Sequence, residues 1–233
     1  MTKKVAVVTA ASKGMGAACA RELAQRGYDL VLMSRSAAVL EFADTLQGIG
    51  LQGDVTNPDD LRRVVDSAFK QYGRIDAVVN NTGHADKGDL LGISDQEWHH
   101  GLDLLLLNVV RIARLVVPMM EKKNGGSIVN ISSFGAREPS LDFPLSSSLR
   151  AGLSAFTKLF ADRYANQGIR MNNVLPGFVD SYPIDSETKE NIPIQRSGSV
   201  EEIAKTVAFL LSDDAGYITG QSICVDGGLG RSY

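Results

Sequence analysis

The chain has 233 residues, 44% apolar and 22% charged, a size and balance that suit one α/β core and exclude disordered or fibrous classes. A formal net charge of −3 gives no electrostatic reason to expect nucleic acid or an anionic membrane as partner. Two cysteines, Cys19 and Cys224, and three histidines, His84, His99 and His100, show no metal-ligand spacing. No metal site is therefore expected, and the thiols read as reduced in a cytoplasm.

The first four residues run directly into Val5, Ala6, Val7 and Val8, an apolar stretch too short for a secretory signal core. The longest apolar stretch, 102–120, is interrupted by Asp103, Asn108, Arg111 and Arg114, so no bilayer crossing is expected. Strands are predicted at 5–9, 30–34, 50–55, 75–80, 127–132, 170–175 and 221–225. Several are apolar throughout, the pattern of strands covered on both faces. Between them lie helices with clear ends. Thr56, Asn57, Pro58, Asp59 and Asp60 supply a cap, a first-turn proline and two acids for a helix start. That helix should turn Leu61, Val64, Val65, Ala68 and Phe69 inward and stop at Gly73. Ser94 with Glu97, and Ser199 with Glu202, read as capping boxes. The alternation predicts right-handed crossovers and a doubly wound seven-stranded parallel sheet, Rossmann-type, in a single domain over 1–233.

The first strand ends in a run of small residues, Thr9, Ala10, Ala11, Ser12, Lys13, Gly14, Met15 and Gly16, with a helix beginning at once. Such a turn lets the backbone approach a pyrophosphate seated on the helix N-terminus. Alone, the segment also reads as a merely tight strand-to-helix turn. The second strand ends at Ser34, Arg35 and Ser36, where an NAD-specific site would place an acid for the ribose hydroxyls. Arg35 and Lys13, with no carboxylate beside them, suit a 2′-phosphate, so NADP(H) is the expected cofactor. Ordinary solvated surface charges are the alternative.

These residues, in this order, resemble the short-chain dehydrogenase/reductase family. Its opening Thr-Gly-x-x-x-Gly-x-Gly is matched at Thr9, Gly14 and Gly16, with Ala10 in place of the first glycine. Asp54 and Val55, then Asn80, Asn81, Thr82 and Gly83, then Asn108 follow in family order. Asn130, Ile131, Ser132 and Ser133, Pro176 with Gly177, and Val225, Asp226, Gly227 and Gly228 complete the set. The resemblance covers essentially the whole chain. It implies cofactor contacts at Thr9, Ala11, Ser12, Lys13, Gly14, Met15, Gly16, Ser34, Arg35 and Ser36. It implies more at Asp54, Val55, Asn81, Thr82, Gly83, Arg150, Pro176, Gly177, Val179 and Ser181.

The family's catalytic set is a serine, a tyrosine, a lysine four residues further on, and an asparagine. This chain keeps Ser133 and Asn108, but Ser146 stands where the tyrosine is expected and Arg150 where the lysine is. An aliphatic hydroxyl is a far weaker acid than a phenol, and a guanidinium stays protonated, so this pair can bind and orient but cannot supply the usual proton. Tyr182, His84 or water remain as donors. Serines 146–148 also read as a helix cap, and Asn108 as a side chain satisfied by its own helix. Two functions follow: an NADPH-dependent reductase of a small carbonyl, imine or enone with altered proton delivery, or a catalytically silent NADP(H) sensor or scaffold. Segment 182–197 reads as a lid over substrate. The resemblance further implies a homo-oligomer, dimer or tetramer, built on helices 102–120 and 146–166, with the tail 227–233 able to reach a neighbouring cleft.

Overall fold

The computed structural model describes residues 3–232, so Met1, Thr2 and Tyr233, the last residue of the predicted tail, lie outside the described residues. Seven strands form one parallel sheet: β1 (Val5–Thr9), β2 (Asp29–Ser34), β3 (Ile49–Gln52), β4 (Ala77–Asn80), β5 (Gly126–Ile131), β6 (Ile169–Pro176) and β7 (Ser222–Val225). Their order is β3-β2-β1-β4-β5-β6-β7, so the winding reverses between β1 and β4 and opens a crevice at the carboxyl ends of those strands.

Strands buried on both faces need apolar residues at every position, and β1 has them without a gap. On one face pack α1 (Gly14–Gln25), α2 (Ala38–Thr45) and α8 (Val200–Leu211), through Leu23, Val39, Val207 and Leu211. On the other pack α3 (Pro58–Tyr72), α5 (Asn108–Glu121) and α6 (Pro144–Tyr164), through Leu61, Val65, Ile112, Val116, Leu153 and Phe160. The capping boxes form as expected, at Ser94 before α4 (Asp95–Leu102) and at Ser199 before α8. Asn57 caps α3 by accepting from Asp59 N, and Gly73 ends it with a left-handed φ of 69°.

Several boundaries differ from the sequence reading. β3 stops at Gln52 instead of 55, because Asp54 N donates to Asp60 Oδ2 and Asp54 Oδ1 accepts from Thr56, turning the chain out of the sheet. β4 begins at Ala77, not 75; Asp76 still bonds Val5 and Ser127 through its backbone, while its carboxylate takes Val5 N at 2.8 Å and the Arg74 guanidinium. Phe69, expected inward, is 43% exposed; it lies one position past the inner stripe of α3. Helix α6 starts at Pro144 after Phe143, which makes no side-chain cap, so the serines at 146–148 do not cap it. Ser148 instead bonds back to the Pro144 carbonyl at 2.8 Å.

Two features go beyond the predicted elements. The stretch predicted as one helix over 102–120 contains a π turn at Asp103–Leu107, just ahead of α5. There Asn108 N reaches back five residues to the Asp103 carbonyl, and the Leu104 carbonyl so released is taken by Asn108 Nδ2 at 2.8 Å. The second is a polar row crossing the apolar sheet. Asn80, Asn130, Asn173 and Ser222 stand opposite one another on β4 to β7. Their side chains bond in series, Asn80 to Asn130 at 2.8 Å, Asn130 to Asn173 at 2.9 Å and Asn173 to Ser222 at 3.0 Å, with Thr157 of α6 joining at 3.0 Å to Asn173. Ser222 continues to Ser154, whose hydroxyl donates to the Arg150 carbonyl, so the row ends by fixing the N-terminal half of α6.

Candidate active site

Most residues singled out in the sequence gather along the carboxyl edge of the sheet, because each follows a strand end. Thr9 at the end of β1 donates to the Asn81 carbonyl at 2.7 Å and accepts Asn81 N at 2.9 Å, locking the two strands that flank the crevice. Asn81 Nδ2 reaches the Ala10 carbonyl at 3.2 Å. Gly16 has to be glycine: a Cβ there would stand 2.4 Å from the Ala10 oxygen and 2.6 Å from Asn81 Nδ2. Ala10 itself takes φ of 47°, the left-handed region that costs any residue with a Cβ.

No side chain caps α1, and the first-turn amides of a helix have no partner within it, so those of Gly14, Met15 and Gly16 face the crevice mouth as anion donors. Ser12 and Ser34 hydroxyls pair at 2.8 Å between the first loop and β2, and Ser36 N turns back to Ser34 Oγ. Exposed Arg35 reaches across so that its Nη2 lies 3.7 Å from where a Gly83 Cβ would stand. Neither Arg35 nor exposed Lys13 has an ion pair or side-chain hydrogen bond among the described residues. Two unspent cations, free helix amides and the buried, unpartnered Thr82 Oγ1 make a donor set that fits a phosphorylated dinucleotide. Asp54 is drawn into its own turn, and Val55 is buried behind it.

Beyond β6, Pro176 and Gly177 lead to Val179, which bridges in parallel to Gly198 and so closes the base of the 182–197 segment. Ser181 Cβ sits 3.6 Å from where a Gly14 Cβ would stand, bringing this segment onto the glycine turn. The segment is not wholly irregular, since α7 (Ser186–Glu190) forms within it, capped by Asp185. Its far end is tied down by Ile194 N to the Gly227 carbonyl. Glu138, in the loop after β5, accepts both Arg231 N and Ser232 N, which holds the described part of the tail over that loop.

The predicted catalytic residues divide. Ser133 accepts Gly135 N at 3.2 Å, which leaves its own hydrogen for a ligand. Ser146 and Arg150 lie one turn apart on α6, joined by Arg150 Nε to Ser146 Oγ at 3.2 Å. Arg150 Nη1 donates to the Ile131 carbonyl at 3.0 Å, so this guanidinium is 7% exposed and anchored to the end of β5. Burial pulls its pKa down to about 10. Asn108 spends its side chain on its own helix, the plainer of its two readings. His84 and Tyr182, expected separately, meet edge to face with ring centroids 4.8 Å apart. Desolvation, then the Arg150 and Lys87 charges, push the His84 pKa below 6.5. Lys87 Nζ lies 4.6 Å over the Phe143 ring at the start of α6. His99 and His100 are exposed and remote from this cluster.

Two hollows do not coincide with the crevice. One of about 590 Å³, lined by Arg170, Asp213, Tyr217 and Thr219, lies at the opposite edge of the sheet, where Arg170 is spent on backbone carbonyls. Another of about 400 Å³, lined by Leu90, Leu141, Pro144, Ser147 and Ala151, occupies the flank of α6 facing away from Ser146 and Arg150. No group of three or more potential metal ligands occurs among the described residues. No helix among them is long and apolar enough to cross a membrane.

A parallel sheet with a glycine turn at its winding reversal, helix amides at that turn and a serine beside it defines a dinucleotide-binding oxidoreductase domain. The chain belongs to the short-chain dehydrogenase/reductase family. The family model described as enoyl-(acyl carrier protein) reductase matches residues 9–230. Similar curated proteins include 3-oxoacyl-[acyl-carrier-protein] reductase FabG of Staphylococcus epidermidis, 33% identical across 97% of this chain and 98% of its own. Dehydrogenase/reductase SDR family member 4 of Pongo abelii is 37% identical across 98% of this chain and 88% of its own. Among solved structures, L-sorbose reductase of Gluconobacter frateurii, complexed with NADPH and L-sorbose, superposes with a TM-score of 0.92 at 30% identity, covering 100% of this chain and 98% of that one.

Proposed function

We propose that this chain is an NADPH-dependent reductase of a small carbonyl, imine or enone in which proton delivery does not run through a tyrosine–lysine pair. The observation that carries the cofactor choice is the pair of unspent cations, Lys13 and Arg35, beside Ser34 where an acid would exclude a 2′-phosphate. The NADPH held by the sorbose reductase agrees with it. NADPH, when bound, supplies the hydride. Thr9, the first-turn amides of α1, Ser12, Ser34, Asn81, Thr82, Gly83 and the 176–181 segment position it, and Arg150 holds its nicotinamide ribose.

Ser146 and Arg150 take the tyrosine and lysine places in this reading. Neither yields a proton at neutral pH, so Ser146 orients Arg150 while Ser133 donates to the substrate oxygen. His84 and Tyr182 stand at the cleft mouth as candidate groups for passing a proton from water, and their contact joins them as one unit. A substrate already activated, such as a protonated imine or an enone protonated by water, places the least demand on them.

Following the loss of NADPH absorbance with ketones, imines and enones tests this. Ser146→Tyr with Arg150→Lys should bring new ketone reduction. Tight NADPH binding with no turnover of any class, and a double variant that stays inactive though folded, would establish the silent sensor instead.

An exposed stripe on α6, Ala151, Gly152, Ala155 and Leu159, the last 67% exposed, supports assembly of copies through this helix. Leu159→Arg should reduce the mass seen by light scattering to that of one chain.

A further inference from the structure

The Arg150 guanidinium is a buried cation without a counter-ion. Among the described residues no carboxylate lies within ion-pair distance of it, and its two hydrogen bonds go to neutral oxygens, Ser146 Oγ and the Ile131 carbonyl. A guanidinium carries five N–H groups, so three are left, two of them on Nη2. Burying an uncompensated charge is costly, and proteins do it where a ligand of opposite sign completes the site. Ribose hydroxyls can take some of these N–H groups, but they are neutral and leave the charge standing.

The surroundings add to the same sign. Lys87, His84 and Arg150 cluster at one mouth, and the charges that act on His84 are both positive. Lys87 is positioned over the face of Phe143, on the residue that opens α6. Ser132, next to the carbonyl that anchors Arg150, is buried with its hydroxyl unpartnered, which offers a further donor beneath the cluster.

We propose that the substrate of this site carries a carboxylate next to its reducible carbon, and that Arg150 binds that carboxylate. This deepens the reductase reading and rests on it for the cofactor. A 2-oxo acid or the corresponding imino acid satisfies both demands. Its carboxylate takes the free corner of Arg150, and its carbonyl or iminium carbon lies beside Ser133. The balance is ordinary: one hydride from NADPH reaches that carbon, the carbon–oxygen or carbon–nitrogen π bond opens onto the heteroatom, and the alkoxide of a 2-oxo acid takes one proton from water at the His84–Tyr182 mouth. An iminium already carries that proton. Arg150 thus acts as the specificity-determining residue in place of a proton shuttle.

The test uses oxamate and its neutral isostere oxamide, titrated calorimetrically into the whole protein with and without saturating NADPH. Oxamate should bind at least tenfold more tightly than oxamide. Arg150→Lys should keep part of that preference and Arg150→Met should abolish it. Lys87→Met, at an exposed position that leaves the fold undisturbed, should reduce it two- to threefold. Pyruvate should likewise be reduced with a higher kcat/KM than methyl pyruvate, the difference vanishing in Arg150→Met.

Equal affinity for oxamate and oxamide, or no binding of either to the NADPH complex, would overturn the proposal. A preference for oxamate in a protein that fails to bind NADPH would keep the anion site and remove the reductase reading instead.

Discussion

The two halves of the sheet solve the same packing problem with different chemistry. At the level where Thr9 pairs with Met33, β2 and β3 carry the apolar Met33 and Leu51, and Thr9 spends its hydroxyl on the Asn81 backbone. At the corresponding level, β4 to β7 carry Asn80, Asn130, Asn173 and Ser222, bonded in series. Apolar packing tolerates volume-conserving exchange, whereas a polar chain in a low-dielectric interior is only as good as its complete satisfaction. The half made of β1, β2 and β3 is thus built for robust shape. The half that carries α6 is built for exact register, which is what Ser146 and Arg150 require.

The largest effect that would break this contrast is on stability. Asn130→Leu strands Asn80 Nδ2 and removes a donor from Asn173, and should cost about 3 kcal/mol in denaturant unfolding. Met33→Leu, level with it across the sheet, should cost less than about 1.5 kcal/mol. Equal losses would mean that the polar row is packing and nothing more. A second measurement addresses the half made of β1, β2 and β3 through the proposed cofactor. Replacing Lys13 and Arg35 together by alanine should weaken NADPH about 100-fold, roughly 2.7 kcal/mol, while NADH changes little. Parallel losses for both nucleotides would show that the two cations serve no 2′-phosphate.

The smallest effect sharpens the electrostatics beside α6. His84 is faced by Tyr182, Lys87 and Arg150, and desolvation with those two charges keeps it neutral to lower pH than usual. An NMR titration should put its midpoint below 6.5, and Lys87→Met should move it upward by removing a cation. The unfolded chain binds this proton more readily than the folded one. The stability deficit therefore appears as pH falls through 6.5 and saturates below the folded midpoint. A midpoint at or above 6.5 would place the cations elsewhere.

How much of this was legible in the sequence follows the same division. The seven strands, the glycine turn, Asn57, Gly73 and both capping boxes depend on neighbours a few residues away, and each was readable. The strand end at 52 was missed because Asp54 is drawn off by Asp60 and Thr56 in a turn that only the folded chain shows. The contact of His84 with Tyr182 and the burial of Arg150 against Ile131 join segments far apart in the chain, so both were beyond reach. The asparagine row left a faint signal, since an asparagine in an otherwise apolar strand has to find partners, and three successive strands carry at least one.

One consequence of the π turn at 103–107 concerns tolerance to length. It holds one residue more than an α-helix spanning the same rise, with Asn108 bonded to Asp103 five positions back. Deleting Leu106 would let an unbroken α-helical ladder form, with modest change in melting temperature. Because the π turn already absorbs the extra residue, α4 and α5 would keep their relative direction, and the Leu104 carbonyl would return to the backbone ladder and release Asn108 Nδ2. A one-residue shortening that preserves the fold and abolishes turnover would mark this helix as a place where the chain stores a reading frame for its site.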